Sequence, residues 1–163
     1  MNTADWSVRP AQESDLDAIM SLETAIFVND AWSRSAMRSE LVAEYSYYLV
    51  AEQSGRVIGY AGLRAPFGVS DADIQTIAVA ADVRGRGLGR ELMNRMITQA
   101  RARGARKVFL EVRADNPRAH GLYRSLGFDD IAVRPRYYQP DDVDAIVMAL
   151  DLGAHAAAEG GRA

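Results

Sequence analysis

The most constraining stretch of this chain runs from residue 74 to residue 90. An apolar, β-rich segment (74–79, containing Ile77, Ala78 and Val79) leads through a short loop into Arg84-Gly85-Arg86-Gly87-Leu88-Gly89-Arg90. A helical repeat follows, with Leu88, Leu92, Met96 and Ala100 four residues apart. Glycines at the head of a helix let the backbone come close to a ligand, and the first amides of the helix have no internal partner, an arrangement suited to phosphate. Three phosphate-binding patterns are separated by spacing. A P-loop needs a Gly-Lys pair, and the chain contains none. A dinucleotide turn begun at Gly85 meets Arg90 in its third glycine position, although Glu111 supplies an acid at the next strand. The pattern that fits is R-x-x-G-x-G, filled by Arg84, Gly87 and Gly89, in which the turn cradles one pyrophosphate.

Charge supports an anion site in the same region. Residues 84–113 hold nine basic and two acidic side chains, a net of +7, while the rest of the chain sums to −10. Arg95, Arg101, Arg103 and Arg106 read as the solvated face of a helix; Arg84, Arg86 and Arg90, interleaved with glycine, read as ligand-facing.

The remaining elements place this turn in an α+β (mixed α/β) fold. A short strand at 6–9 is stopped by Pro10, and Leu16, Ile19, Met20, Glu23 and Ile26 recur at near-helical spacing before a second helix at 33–44. Segments 47–52 and 57–63, joined by Gln53-Ser54-Gly55-Arg56, predict a hairpin, and 74–79 a third strand. A helix over 87–103 ends at Gly104, a strand covers 108–112, and Asn116-Pro117 opens a helix ending at Leu126-Gly127. Strands near 128–136 and 145–150 complete a mostly antiparallel sheet of six to seven strands, with one parallel βαβ crossover and about four helices. At 163 residues the chain is read as one domain over 1–152 with a flexible tail over 153–163.

Composition narrows the chemistry. There is no cysteine and there are only two histidines, His120 and His155, so thiolate and histidine-rich metal sites, disulfides and a cysteine nucleophile are excluded. No run approaches the roughly 20 apolar residues of a membrane span, and residues 1–10 lack a secretory pattern; a cytoplasmic protein that binds neither membrane nor nucleic acid is expected.

The segments Ile77-Ala78-Val79, Arg84 to Arg90, Leu110-Glu111-Val112-Arg113-Ala114-Asp115-Asn116 and Leu122-Tyr123-Arg124-Ser125-Leu126-Gly127-Phe128 together resemble the acetyl-CoA signature of the GCN5-related N-acetyltransferases (GNAT). Ala31-Trp32-Ser33, Arg134-Pro135-Arg136-Tyr137-Tyr138 and residues 144–150 resemble the RimI branch, bacterial enzymes that acetylate protein N-termini, with an alanine of a small-subunit ribosomal protein as named target. Pro135 stands where that branch has a basic residue.

The resemblance implies acetyl-CoA as cosubstrate, no metal, and direct transfer to a protein N-terminus. Backbone at Ile77, Ala78 and Val79 would receive the acetyl and pantetheine groups. Arg84, Gly85, Arg86, Gly87, Leu88, Gly89 and Arg90 would bind the pyrophosphate, and Asn116 would contact the cofactor. Glu111 would take the amine proton and Tyr123 would protonate the departing thiolate. Trp32, Tyr137 and Tyr138 would line the peptide side. Each side chain also has an ordinary reading: Asn116 as a helix cap, Glu111 as an ion pair with Arg113, Tyr123 as core packing, and Tyr137-Tyr138 as a strand aromatic pair. Glu23, Asp30 and Glu40 on the early helices are open to two readings, solubility or contact with a cationic peptide. An α-amine near pKa 7.8 is neutral in about one molecule in seven at pH 7, against about one in 2,500 for lysine, so a single carboxylate suits an N-terminus better. Two alternatives remain: acetylation of a small amine or a lysine side chain, and a non-catalytic acetyl-CoA sensor.

Overall fold

The computed structural model describes residues 5–153, so the expected tail over 153–163 lies, apart from Gly153, outside the described residues. Its strands are β1 (Ser7–Pro10), β2 (Ser46–Gln53), β3 (Arg56–Arg64), β4 (Asp71–Val79), β5 (Lys107–Arg113), β6 (Asp129–Tyr138) and β7 (Val143–Asp151). The helices are α1 (Leu16–Ile26), α2 (Arg34–Val42), α3 (Leu88–Ala102) and α4 (Pro117–Ser125). The strands form one sheet in the order β1-β2-β3-β4-β5-β7-β6, in which only β4 and β5 run parallel.

Alternation along the strands feeds two cores. On one face Tyr48, Val50, Tyr60 and Ala78 meet Leu16 and Ile19 of α1 and Met37 of α2. On the other, Leu49, Ala51, Ala61 and Leu63 meet Leu88, Leu92, Met93 and Met96 of α3. Helix ends follow local chemistry. Ser33 Oγ accepts from the Ala36 amide, Asn116 Oδ1 accepts from the Ala119 amide with Pro117 in the first turn, and Gly104 and Gly127 adopt the positive φ that stops α3 and α4.

Among the element ends that differ from the sequence expectation, three have a clear local cause. Pro10 is the last paired residue of β1, opposite Leu49, because β1 is an edge strand and the missing N–H costs no ladder bond there. β4 begins at Asp71, three residues early, since Asp71 and Asp73 break the apolar run without breaking the ladder. β6 continues through Pro135 to Tyr138 across a register break, with Arg136 at φ +51°.

Burial of phenols gives the fold a testable alkaline limit. Burial raises the pKa values of Tyr48, Tyr60 and Tyr123, that of Tyr123 to about 12. Above pH 10 the unfolded chain releases these protons while the folded chain keeps them, so stability falls as pH rises. Urea unfolding is expected to show a loss of about 1.4 kcal/mol per pH unit for each such phenol above pH 10. Tyr48→Phe should flatten that slope; an unchanged slope would contradict the burial argument.

Candidate active site

The cleft originates in the sheet itself. β4 and β5 are paired only at Asp71, Ala72 and Asp73 against Lys107, Val108 and Phe109, and beyond that point they part. The edge of β4 from Ile74 to Val79 is therefore free of strand partners on the β5 side, while its other edge stays paired with β3. Between the diverging strands lies a cleft of about 1170 Å³. Unpaired amides and carbonyls along a strand edge are hydrogen-bonding groups for an extended ligand.

At one end of this cleft stands the glycine turn. Gly85 and Gly87 have φ of +82° and +92°, and Gly87 occupies the cap position of α3 without any side-chain cap bond. The first-turn amides of this 15-residue helix are thus left for an anion, and the macrodipole adds to the attraction. Arg84 Nε donates to the Val79 carbonyl at 3.2 Å, fastening the turn to the end of β4. Arg90 bonds Ser125 Oγ at 2.8 Å, tying α3 to α4. Arg118 of α4 also lines the cleft, with its guanidinium close over Gly85.

The other end is made from β5, β6 and the loop after α1. Glu111 projects from β5 and pairs with Arg134 Nε at 2.9 Å; Tyr137 also hydrogen-bonds its carboxylate. The Tyr137 and Tyr138 rings meet edge to face at 5.1 Å, and both pKa values are raised by burial and by the nearby Glu111 charge. The register break after Arg134 brings these adjacent residues to one wall. Arg113 turns away from Glu111: it binds Asp115 at 3.0 Å, Asp141 at 3.1 Å and Asp30 at 3.5 Å, joining the loop after α1 to the β6–β7 loop. The expected Glu111–Arg113 pair is replaced by Glu111–Arg134. β6 lies one strand beyond β7, and its Arg134 is long enough to reach across.

Tyr123 sits between the two ends, on α4. It is 7% exposed, packs edge-on to Phe128 at 6.3 Å, and lines the cleft. Burial alone pushes its phenol up to about 12. Core packing and a place at the cleft are thus both met by one side chain.

Of the residues expected from sequence, Ile77, Ala78, Val79, Arg84, Gly85, Gly87, Leu88, Gly89, Arg90, Glu111, Asn116, Tyr123, Trp32, Tyr137 and Tyr138 line this single cleft. Arg86 does not; it is exposed and lies near Asp82. Leu88 contributes backbone, since its side chain is buried in the core. Asn116 both caps α4 and lines the cleft. Sequence reasoning did not assign Asp73, Arg118 or Arg134 a role in the site, and it left Glu23 and Asp30, which both line the cleft, open between solubility and contact with a cationic peptide. Asp73 is raised by burial, although Arg64 opposes the shift, and it feels the charges of Asp71 and Glu111. Glu23 left a trace in the sequence as a carboxylate within an apolar helical stripe, and Arg134 as part of the Arg134 to Tyr138 segment.

This geometry has counterparts. The chain is 36% identical over 158 residues to the N-alpha-acetyltransferase RimI of Mycobacterium tuberculosis (strain ATCC 25618 / H37Rv), covering 93% of this chain and 96% of that protein. An uncharacterized protein of Mycobacterium leprae (strain TN) is 38% identical over 141 residues, and the chain spans 38% of its length. The crystal structure of the ribosomal-protein-S18-alanine N-acetyltransferase from Escherichia coli superposes with a TM-score of 0.82 at 32% identity, covering 90% of this chain and 94% of that one. Arabidopsis thaliana NAA60 in complex with acetyl-CoA shares the fold, with a TM-score of 0.81 at 18% identity over 90% of this chain and 98% of that one. Residues 16–128, which hold the split strands, the glycine turn, Glu111 and Tyr123, match the Acetyltransferase (GNAT) family, and the chain belongs to that family.

Proposed function

We propose that this acetyl-CoA-dependent N-acetyltransferase transfers acetyl to the free N-terminal amine of a protein, with a small-subunit ribosomal protein beginning with alanine as the substrate. The observation that carries the reading is the meeting of Glu111 and Tyr123 in one cleft whose two ends differ in chemistry: amides and arginines at one, carboxylates and aromatic rings at the other. The relatives named for N-terminal and ribosomal-protein acetylation support it.

In this reading the glycine turn, Arg84 and Arg90 hold the pyrophosphate, and the free edge of β4 around Ile77, Ala78 and Val79 holds the pantetheine arm and the acetyl carbonyl. Glu111 takes one proton from the incoming ammonium. The neutral nitrogen attacks the thioester carbonyl carbon, the C–S bond breaks, and Tyr123 gives its proton to the thiolate. The surplus proton on nitrogen and the proton held by Glu111 leave to solvent, and Tyr123 is reprotonated from there, so one proton is released per turnover. A phenol held near 12 stays protonated at working pH and is therefore available as a proton donor to the departing thiolate. Trp32, Tyr137 and Tyr138 wall the acceptor end and narrow it around the first peptide residues.

The test compares alanine-initiated peptides with the same peptides N-blocked and carrying an internal lysine. Turnover is expected only on the free N-terminus. Activity confined to the blocked set would overturn the reading in favour of lysine acetylation, and binding of acetyl-CoA without turnover on either would favour a sensor.

A further inference from the structure

Glu23 is an ionisable side chain at the cleft that the reaction as derived does not use. It lies on α1 among Leu16 and Ile19, in a stripe that buries against the sheet, and it is 1% exposed. A carboxylate in such a place is costly unless its oxygens are taken up by donors. Two donors do so, from different parts of the fold. The hydroxyl of Tyr60 on β3 bonds Oε1, and that tyrosine is itself fully buried and hydrogen-bonded to Thr76 of β4. The backbone N–H of Trp32 bonds Oε2 at 2.9 Å. One oxygen therefore grips the sheet, and the other grips the loop that carries Phe27, Asp30 and Trp32 along the cleft wall. An apolar residue at this position would fill the stripe but leave both donors unpaired and the loop without its polar anchor.

We propose that Glu23 is a positioning residue, which pins Trp32 and the loop after α1 against β3 and so sets affinity for the acceptor amine while leaving acetyl-CoA binding untouched. The proposal rests on the reading of Trp32 as part of the acceptor wall. Glutamine in place of Glu23 keeps the size of the side chain, but it puts an NH2 donor where one of the two carboxylate oxygens now accepts from Tyr60 or Trp32.

Steady-state kinetics with an alanine-initiated peptide and with acetyl-CoA, each varied at saturating partner, test this. Glu23→Gln is expected to raise the peptide KM about ten-fold, the loss of one charge-assisted hydrogen bond, with the acetyl-CoA KM held within about two-fold. Tyr60→Phe, which keeps the Trp32 bond, should raise the peptide KM about three-fold and serves if Glu23→Gln does not fold. Trp32→Ala should raise it as well. If Trp32→Ala raises the peptide KM while Glu23→Gln and Tyr60→Phe leave it unchanged, the positioning role is overturned and the acceptor wall stands. If none of the three changes it, the acceptor wall itself is refuted. An equal rise in both KM values would mean a general structural role and would also overturn the proposal.

Discussion

Glu111→Gln is expected to lower kcat by about 10²–10³, the usual loss for a positioned proton acceptor, with acetyl-CoA affinity retained. Glutamine preserves the strand and the size of the side chain but cannot take the ammonium proton. Tyr123→Phe should act on the same parameter, by about 10², because phenylalanine keeps the edge-on packing against Phe128 and removes only the proton donor. The two variants should differ in pH dependence. Burial holds the Tyr123 phenol near 12, above its ordinary value near 10, so its donor form persists as pH rises. No descending limb assignable to Tyr123 should appear below about pH 11 in the wild-type rate profile. A limb near pH 10 that disappears in Tyr123→Phe would show a solvated phenol and contradict the assignment. Unchanged turnover in both variants would remove both residues from the chemistry.

Gly87→Val should cost binding instead of turnover. Gly87 sits at φ +92° at the head of α3, and nothing lies within 4 Å of where a Cβ would stand. Space is therefore no obstacle; the backbone is. A β-branched residue is strongly disfavoured at positive φ, so the turn must either carry the strain or relax and swing its amides off the phosphate. We expect calorimetry to give an acetyl-CoA Kd raised about 30–100-fold, a loss of roughly 2–3 kcal/mol, with kcat at saturation changed by less than about three-fold. Gly121→Ala is the matched control: this glycine lies inside α4, its Cβ would also meet open space, and its φ is not in the positive region. It should leave Kd unchanged. Equal affinity of Gly87→Val and wild type would mean that these amides do not hold the diphosphate.

Much of this site was legible along the chain, because its glycine-turn end is built locally. The turn from Arg84 to Arg90 is contiguous, its glycines report backbone conformation directly, and the periodicity of Leu88, Leu92 and Met96 places it at the head of a helix. Asn116-Pro117 likewise announces the cap that the fold contains. The Glu111 end was harder to read because most of its contacts are non-local. Glu111 meets Arg134 across an intervening strand, and Arg113 gathers Asp30 and Asp141 from two distant segments.

By itself, the amino-acid order determined which segments become helix, strand and glycine turn, since those depend on side-chain periodicity and on φ preferences within a few residues. Tertiary structure alone decided where the sheet splits, which carboxylate faces which arginine, and that Glu23 is buried between a tyrosine of β3 and a backbone amide of the loop after α1. The reason is physical: a strand edge becomes a binding surface only when its neighbour diverges, and a buried charge is tolerated only where donors from distant segments converge on it.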